Sequence, residues 1–411
     1  MAINGIIQAG SITGNLSASG NLSAELTVKA GGSGPSAEDV FSAEGVAELT
    51  ISGTPTSMMA NVKKFVLPDA TEIADGLFQS NKTVEEVDAP NAVSVGASAF
   101  NGASKLNKVV LPKVETLNNQ VFYNTVALKK IELPELTTIN YAPFSSAGAE
   151  EIYAPKVNAV SQNNFISAKK LKKLTVGNNL TISSSVNTQK AFYEMGKDVA
   201  KGSSEIDLEV TWSTFNSNNH RNIFQYMTVR SLTVKELSSY NGGSYSEFKN
   251  MKAESISFPD LISLSGSSEA FGHCEVDSIN FPKLETLGSG SFRNMVFPAN
   301  YDLTLPKVTA IPTNTFYATS GINSITLPLC TEINGSTYNM TMPNSMKHLY
   351  LPGSTMCALN AVPTVIFSNA FLTAEDTAVH VPSDLLADYQ AATNWSDMSA
   401  KIVGDLPAVN S

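Results

Sequence analysis

Residues 106–122 read LNKVVLPKVETLNNQVF, and residues 128–139 repeat the same phrase as LKKIELPELTTI. The kernel is apolar–x–apolar–Pro. It ends at Pro68 (FVLP), Pro90 (VDAP), Pro112 (VVLP), Pro134 (IELP) and Pro155 (IYAP). It returns at Pro259 (ISFP), Pro282 (INFP), Pro306 (LTLP), Pro328 (ITLP), Pro352 (LYLP) and Pro382 (VHVP). The interval is about 22 residues early and about 22 to 24 through most of the later part, a period that denotes stacked structural repeats. Between Pro155 and Pro259 the strand pattern persists without the proline, as LTV before Gly177, LEV before Thr211 and LTV before Lys235. The pattern implies about fourteen turns. One interval, Gly177 to Thr211, is long; its segment QKAFYEMGKDVAKG is expected to form an inserted loop or short helix within about residues 178–205.

Side chains in a strand alternate between faces. The first inward column runs Phe65, Val87, Val109, Ile131, Ile152, Leu174 and on to Val379. The second runs Leu67, Ala89, Leu111, Leu133, Ala154, Val176 and on to Val381, and both columns are wholly apolar. The residue between them varies freely: Asp88, Glu132, Tyr153, Glu209, Asn280, Tyr350 and His380 all occupy it. One face is therefore buried and the other solvated. Proline follows because it cannot donate to a ladder and it fixes the turn. Further apolar positions follow, as at Val114 and Leu117, and an aromatic often closes the turn, as at Phe78, Phe100, Phe122, Phe144, Phe165, Phe292 and Phe316. A single turn cannot bury enough apolar surface to fold alone; each needs its neighbours.

These phrases resemble the BspA-like leucine-rich repeats of bacterial, phage and some protist surface proteins, over roughly residues 60 to 405. The resemblance implies a mainly β chain with short helical or irregular turns. The expected fold is a right-handed leucine-rich-repeat solenoid of parallel strands, with a β-rich N-terminal attachment segment and a C-terminal helical cap. The expected division is 1–35 attachment and oligomerisation segment, 36–59 linker and N-terminal cap, 60–382 solenoid, and 383–411 cap helix and tail.

Composition agrees with a folded scaffold. The chain has 411 residues, 42% of them hydrophobic and only 16% charged. The net charge of −10 repels phosphate backbones, so nucleic acid is not an expected partner. Cys274, Cys330 and Cys357 are too few for a disulfide framework and fit folding in a reducing compartment. The N-terminus, MAINGIIQAGSITG, has neither the basic nor the continuous apolar region of a secretory leader, and no stretch is long enough for membrane insertion.

The two ends differ. At the C-terminus, Ser383 is expected to cap a short helix carrying Leu386, Tyr389 and Ala392, with Tyr389 and Trp395 packed in the cap. At the N-terminus, Ile12, Leu16, Leu22, Leu26 and Val28 lie on one face of a strict period-two pattern. That strand would pair with copies of itself or dock on a larger assembly; it resembles the attachment segments of phage tail and virion proteins. The alternative is a leader that adds the first strands of the solenoid.

No phosphate-binding loop, nucleophile elbow, zinc-protease motif or paired CxxC is present. His273 and Cys274 are adjacent, but neighbours in a turn seldom converge on one ion, so no metal or cofactor is expected. The lysines Lys63–Lys64, Lys129–Lys130 and Lys169 to Lys173 would form a basic ridge facing anionic polymer, or serve solubility and edge protection. Receptor contacts are expected at Tyr153 and Tyr350, with Glu132 and Asn280 on the same column, or at Tyr193 and the SNNHRN loop around His220.

A non-enzymatic binding protein follows. The first expectation is a phage virion protein in the virion, a tail fibre or receptor-binding protein. It would attach to other virion proteins through its N-terminus, assemble as a homo-oligomer with a trimer favoured, and grip a host surface protein or glycan. The alternative is a BspA-like adhesin on a bacterial cell surface. A polysaccharide-degrading β-helix is the third reading, weakened because the outward acids Asp88, Glu132 and Glu209 stand several turns apart.

Overall fold

The structure is a computed structural model. It describes residues 62–409 except 179, 184–185, 216–218, 243–246, 266–268 and 337–339, together with the backbone of 5–7, 26–28 and 48–50. Ile12, Leu16 and Leu22 lie outside the described residues. Leu26 and Val28 lie in a three-residue strand, Leu26–Val28, that pairs in parallel with Gly5–Ile7. The chain is a mostly β, parallel-stranded solenoid of about fourteen turns. It divides into two compact units, residues 1–181 with 188–206, and residues 182–187 with 207–411.

In the first unit the strands Lys64–Val66, Glu86–Asp88 and Lys108–Val110 pair in parallel and in strict register, Phe65 beside Val87 and Val87 beside Val109. Lys130–Glu132, Glu151–Tyr153 and Lys173–Thr175 continue the pattern. The array starts earlier than the first proline phrase, because Glu48–Thr50 pairs with Lys64–Val66, Leu49 opposite Phe65. After each proline the chain bends into a two-residue strand, and Glu72–Ile73, Ser94–Val95, Thr116–Leu117 and Thr138–Ile139 form a second parallel ladder. Both inward columns are buried, except that Val109 and Val176 here, and Ile279 in the second unit, are half-buried.

The turn that closes each coil is also laddered. Ser98, Phe100 and Gly102 donate their amides to the carbonyls of Asn119, Val121 and Tyr123 one turn on, at 2.8, 3.0 and 2.8 Å. Every second amide can point that way because left-handed residues flank the aromatic: Gln120 and Asn124, Ala142 and Ser146, Asn163 and Ser167, at φ of 52° to 61°. The rings of Phe78, Phe100, Phe122, Phe144, Phe165 and Phe192 stack in sequence, with centroids 5.3 to 6.1 Å apart and planes within 10°. Phe192 belongs to the segment expected to be an inserted loop or short helix. The segment contains no helix: its ring stacks 5.6 Å from Phe165, and it is a long turn of the array. Its length hid the aromatic from a search at constant period.

The second unit has longer strands, Asp207–Thr211, Ser231–Lys235, Lys252–Ser257, Glu275–Asn280, Val296–Thr304 and Ser320–Thr326, again parallel. Phe224, Phe248, Phe271, Phe292 and Phe316 form its aromatic column, 4.9 to 6.1 Å apart. The C-terminal cap is more than a helix. The helix Leu386–Ala391 starts without a side-chain cap: Leu385 holds that position, and the Ser383 amide instead reaches the Leu406 carbonyl at 3.1 Å. A 3-10 turn, Ser396–Lys401, then leads into a last strand, Ile402–Leu406, that pairs with Ala378–Pro382. Tyr389 and Trp395 are fully buried beneath this cap.

Candidate interaction surface on the strand face

A residue one before an inward position points outward, as does the one after it. Each strand therefore presents two outward columns. In the first unit one column carries Lys64, Glu86, Lys108, Lys130, Glu151 and Lys173. The other carries Val66, Asp88, Val110, Glu132, Tyr153 and Thr175. Register places Lys130 beside Glu151 beside Lys173, and Glu132 beside Tyr153 beside Thr175.

These residues bound a shallow depression of about 140 Å³ around Tyr153. Tyr153 is 43% exposed. Lys130 Nζ lies 2.8 Å from Glu132 Oε1, and that carboxylate holds the ammonium above the usual lysine range. The depression is smaller than pockets that enclose small molecules, commonly about 300–1,000 Å³. It offers a flat aromatic platform rimmed by both charges, suited to lie against another surface.

Much of the expected basic ridge is paired with acids. Lys63 meets Glu85 at 2.9 Å, Lys129 and Lys172 both meet Glu150 at 3.1 Å, and Lys169 meets Glu194 at 3.3 Å. Glu150 is held below the usual carboxylate range by hydrogen bonds from Lys172 and Lys129. The partners lie one turn away, about 22 residues in sequence, so adjacency along the chain showed only the lysines.

The other predicted contacts are dispersed. Asn280 is exposed in the second unit and donates to Ser257 Oγ at 3.1 Å. Tyr350 is half-buried, with one ring face covered by His380 at 4.3 Å and 15°. His380 Nδ1 donates to the Asp405 carboxylate at 2.9 Å, and its Nε2 lies 3.0 Å from His348 Nδ1, within hydrogen-bonding distance. Burial, then the charge of His380, lowers the His348 pKa. Tyr350 is thus part of a packed polar group and not a free anchor. Tyr193 follows Phe192 on a closing turn, half-buried under Lys190 Nζ at 5.5 Å, away from the strand face. His220 is a correction. Its ring is fully buried, edge-on to Trp212 at 5.0 Å, with Nε2 3.1 Å from the Ser183 carbonyl. His220 itself packs inward because Trp212 supplies an apolar wall.

Sequence reasoning placed Glu132 and Tyr153 on the outward face and did not name Lys130, Glu151 and Lys173 as their neighbours. The signal was the parity of the strand: residues two apart share a face. His273 is exposed while Cys274 is buried, so the adjacent pair faces opposite ways. Among the described residues, no group of three or more His, Cys, Asp or Glu is arranged to hold a metal, and no helix is long and apolar enough to cross a membrane.

Short parallel strands, prolines at many of the bends and a stacked aromatic at most closures define a leucine-rich-repeat solenoid. The BspA type leucine-rich repeat region matches in six copies over residues 71–195 and 214–372, more than half of the sequence. The chain belongs to that family. No curated protein sequence matches it. Similar solved structures include a leucine-rich repeat protein from Bacteroides ovatus, 16% identical, covering 83% of this chain and 91% of that one, with a TM-score of 0.39. A leucine-rich cell surface protein from Faecalibacterium prausnitzii is 15% identical, covers 84% and 92%, and has a TM-score of 0.36. The pneumococcal vaccine antigen PcpA is 11% identical, covers 88% and 85%, and has a TM-score of 0.22.

Proposed function

We propose that this chain is a BspA-like adhesin displayed on a bacterial cell surface, and that it grips a host surface protein or glycan through the strand face around Tyr153. The observation that carries this reading is the exposed Tyr153 ring set in register between Glu132 and Thr175, with Lys130, Glu151 and Lys173 around it. An exposed aromatic rimmed by polar groups has the composition of a binding hot spot. The test is binding of the purified protein to host cells and arrayed glycans. Tyr153→Ala should weaken binding about 30-fold, equivalent to about 2 kcal/mol. Its melting temperature should stay at that of the parent, because the ring is outside the core. Unchanged binding by Tyr153→Ala combined with Glu132→Ala would rule this face out.

A second reading is a phage virion protein whose N-terminus attaches to the particle, assembling as a trimer. The period-two run ending at Val28 favours it, whereas the parallel pairing of Leu26–Val28 with Gly5–Ile7, about one repeat apart in the same chain, suits a leader that adds strands to the solenoid. Both readings use the same face, and they differ in what residues 1–35 hold.

A further inference from the structure

The two C-terminal cysteines occupy successive turns. Cys330 is 4% exposed and Cys357 is fully buried, and their sulfurs lie 3.5 Å apart. Both are free thiols. The following strands pair in parallel, Glu332 beside Ala358 and Ile333 beside Leu359, which leaves Cys330 two residues and Cys357 one residue before the paired positions, as diagonal neighbours on adjacent turns. The cap fixes the second cysteine. The Cys357 amide donates to the Tyr389 hydroxyl oxygen at 2.8 Å, and its carbonyl accepts from Trp395 Nε1 at 2.7 Å.

We propose that Cys330 and Cys357 form a latent disulfide, closed under oxidising conditions, that ties the last turns of the solenoid beneath the C-terminal cap. A disulfide needs its sulfurs at about 2.05 Å on backbones spaced as neighbouring strands are. Rotation of the side chains supplies the remaining approach. The inference is independent of what the strand face binds.

The chemistry is thiol–disulfide exchange with a low-molecular-weight disulfide such as oxidised glutathione. The Cys330 thiolate attacks one glutathione sulfur, and the other glutathione leaves as its thiolate. The Cys357 thiolate then attacks the Cys330 sulfur and expels the second glutathione. Two protein thiols and one oxidised glutathione become one protein disulfide and two reduced glutathiones. The geometry favours Cys330 as the first nucleophile. It is the less buried of the two, and a hydrogen bond from Cys357 lowers its pKa, while the same contact and burial raise that of Cys357. Cys274 is an internal control. It is fully buried in another turn, its sulfur donates to the Phe248 carbonyl at 2.8 Å, and burial pushes its pKa to about 12.

The test uses the full-length reduced protein, equilibrated folded, and separately refolded from urea, in reduced and oxidised glutathione mixtures. Alkylation under denaturing conditions with intact mass spectrometry counts the free thiols, and peptide mapping without reductant locates the link. The expected result is loss of two alkylatable thiols, a Cys330–Cys357 linked peptide, and a melting temperature higher by roughly 5–10 °C, reversed by reductant. Cys330→Ser and Cys357→Ser should each abolish the link, and Cys274→Ser should leave it intact, which keeps the test informative if either of the first two folds poorly. Three alkylatable thiols after oxidation in both the folded and refolded samples would overturn the proposal. So would a stable glutathione adduct at Cys330, or a link through Cys274.

Discussion

Glu247 is a carboxylate buried among aromatics. It accepts a hydrogen bond from the Tyr240 hydroxyl, and its other oxygen has no partner among the described residues. Burial raises its pKa to about 7, against the opposing pull of the Tyr240 hydrogen bond. The folded state therefore holds this proton more tightly than the unfolded chain, whose carboxyl titrates near 4.5. The stabilisation is complete below about pH 4.5 and is lost as pH rises through about 7, with a magnitude on the order of 3 kcal/mol. Urea melts at pH 5 and pH 8 should show the parent weaker at pH 8, and Glu247→Gln should remove most of that difference. A parent curve flat over this range would show that the carboxyl is solvated. Nothing in the sequence singled out Glu247, because its burial depends on Tyr240 and Phe248 folding over it. Glu132 and Tyr153 were legible from strand parity alone, whereas His220, read as a surface loop residue, sits behind Trp212, a contact no spacing rule encodes.

At the level of the element, the closing turns were only partly legible. Their aromatics stood out, but the left-handed residues beside them include Ala142, Lys190 and Glu194, types with no preference for that conformation. The ladder of amides to the next turn imposes it, offsetting about 1–2 kcal/mol of strain per residue. Elsewhere a glycine is required. Gly321 lies at φ +88°, and a Cβ there would sit 2.2 Å from the Phe297 carbonyl oxygen, on the irregularly registered pair of strands Val296–Thr304 and Ser320–Thr326. Gly321→Ala should cost at least about 2 kcal/mol, because both the backbone conformation and the contact oppose it. Thermal melts compare it directly with Gly290→Ala, where the glycine is also left-handed but at φ +70°, and the two losses should differ in favour of Gly290. Equal losses would mean that the approach of Phe297 is not what excludes a side chain.

Across the molecule, the repeat was legible because one phrase recurs, and it faded where the phrase changes. The final strand Ile402–Leu406 carries no proline phrase and was read as tail, yet it completes the sheet beside Ala378–Pro382. Its Asp405 also orders His380, which explains why an outward position is buried there. Deleting residues 383–411 should therefore expose that sheet edge and the surface under Tyr389 and Trp395, and light scattering should show aggregation. Deleting residues 1–35 should leave a folded protein, monomeric if those residues serve assembly. A truncation at 383 that stayed monomeric and as stable as the parent would show that the cap is dispensable.

The ladders also set how the protein behaves under tension. Within each unit the hydrogen bonds between coils point from one coil to the next, so a tether at one end and a ligand at the other would load those junctions one after another. The weakest coil would then peel away first and lengthen the chain while the rest stayed folded, turning a sudden tug into a gradual extension.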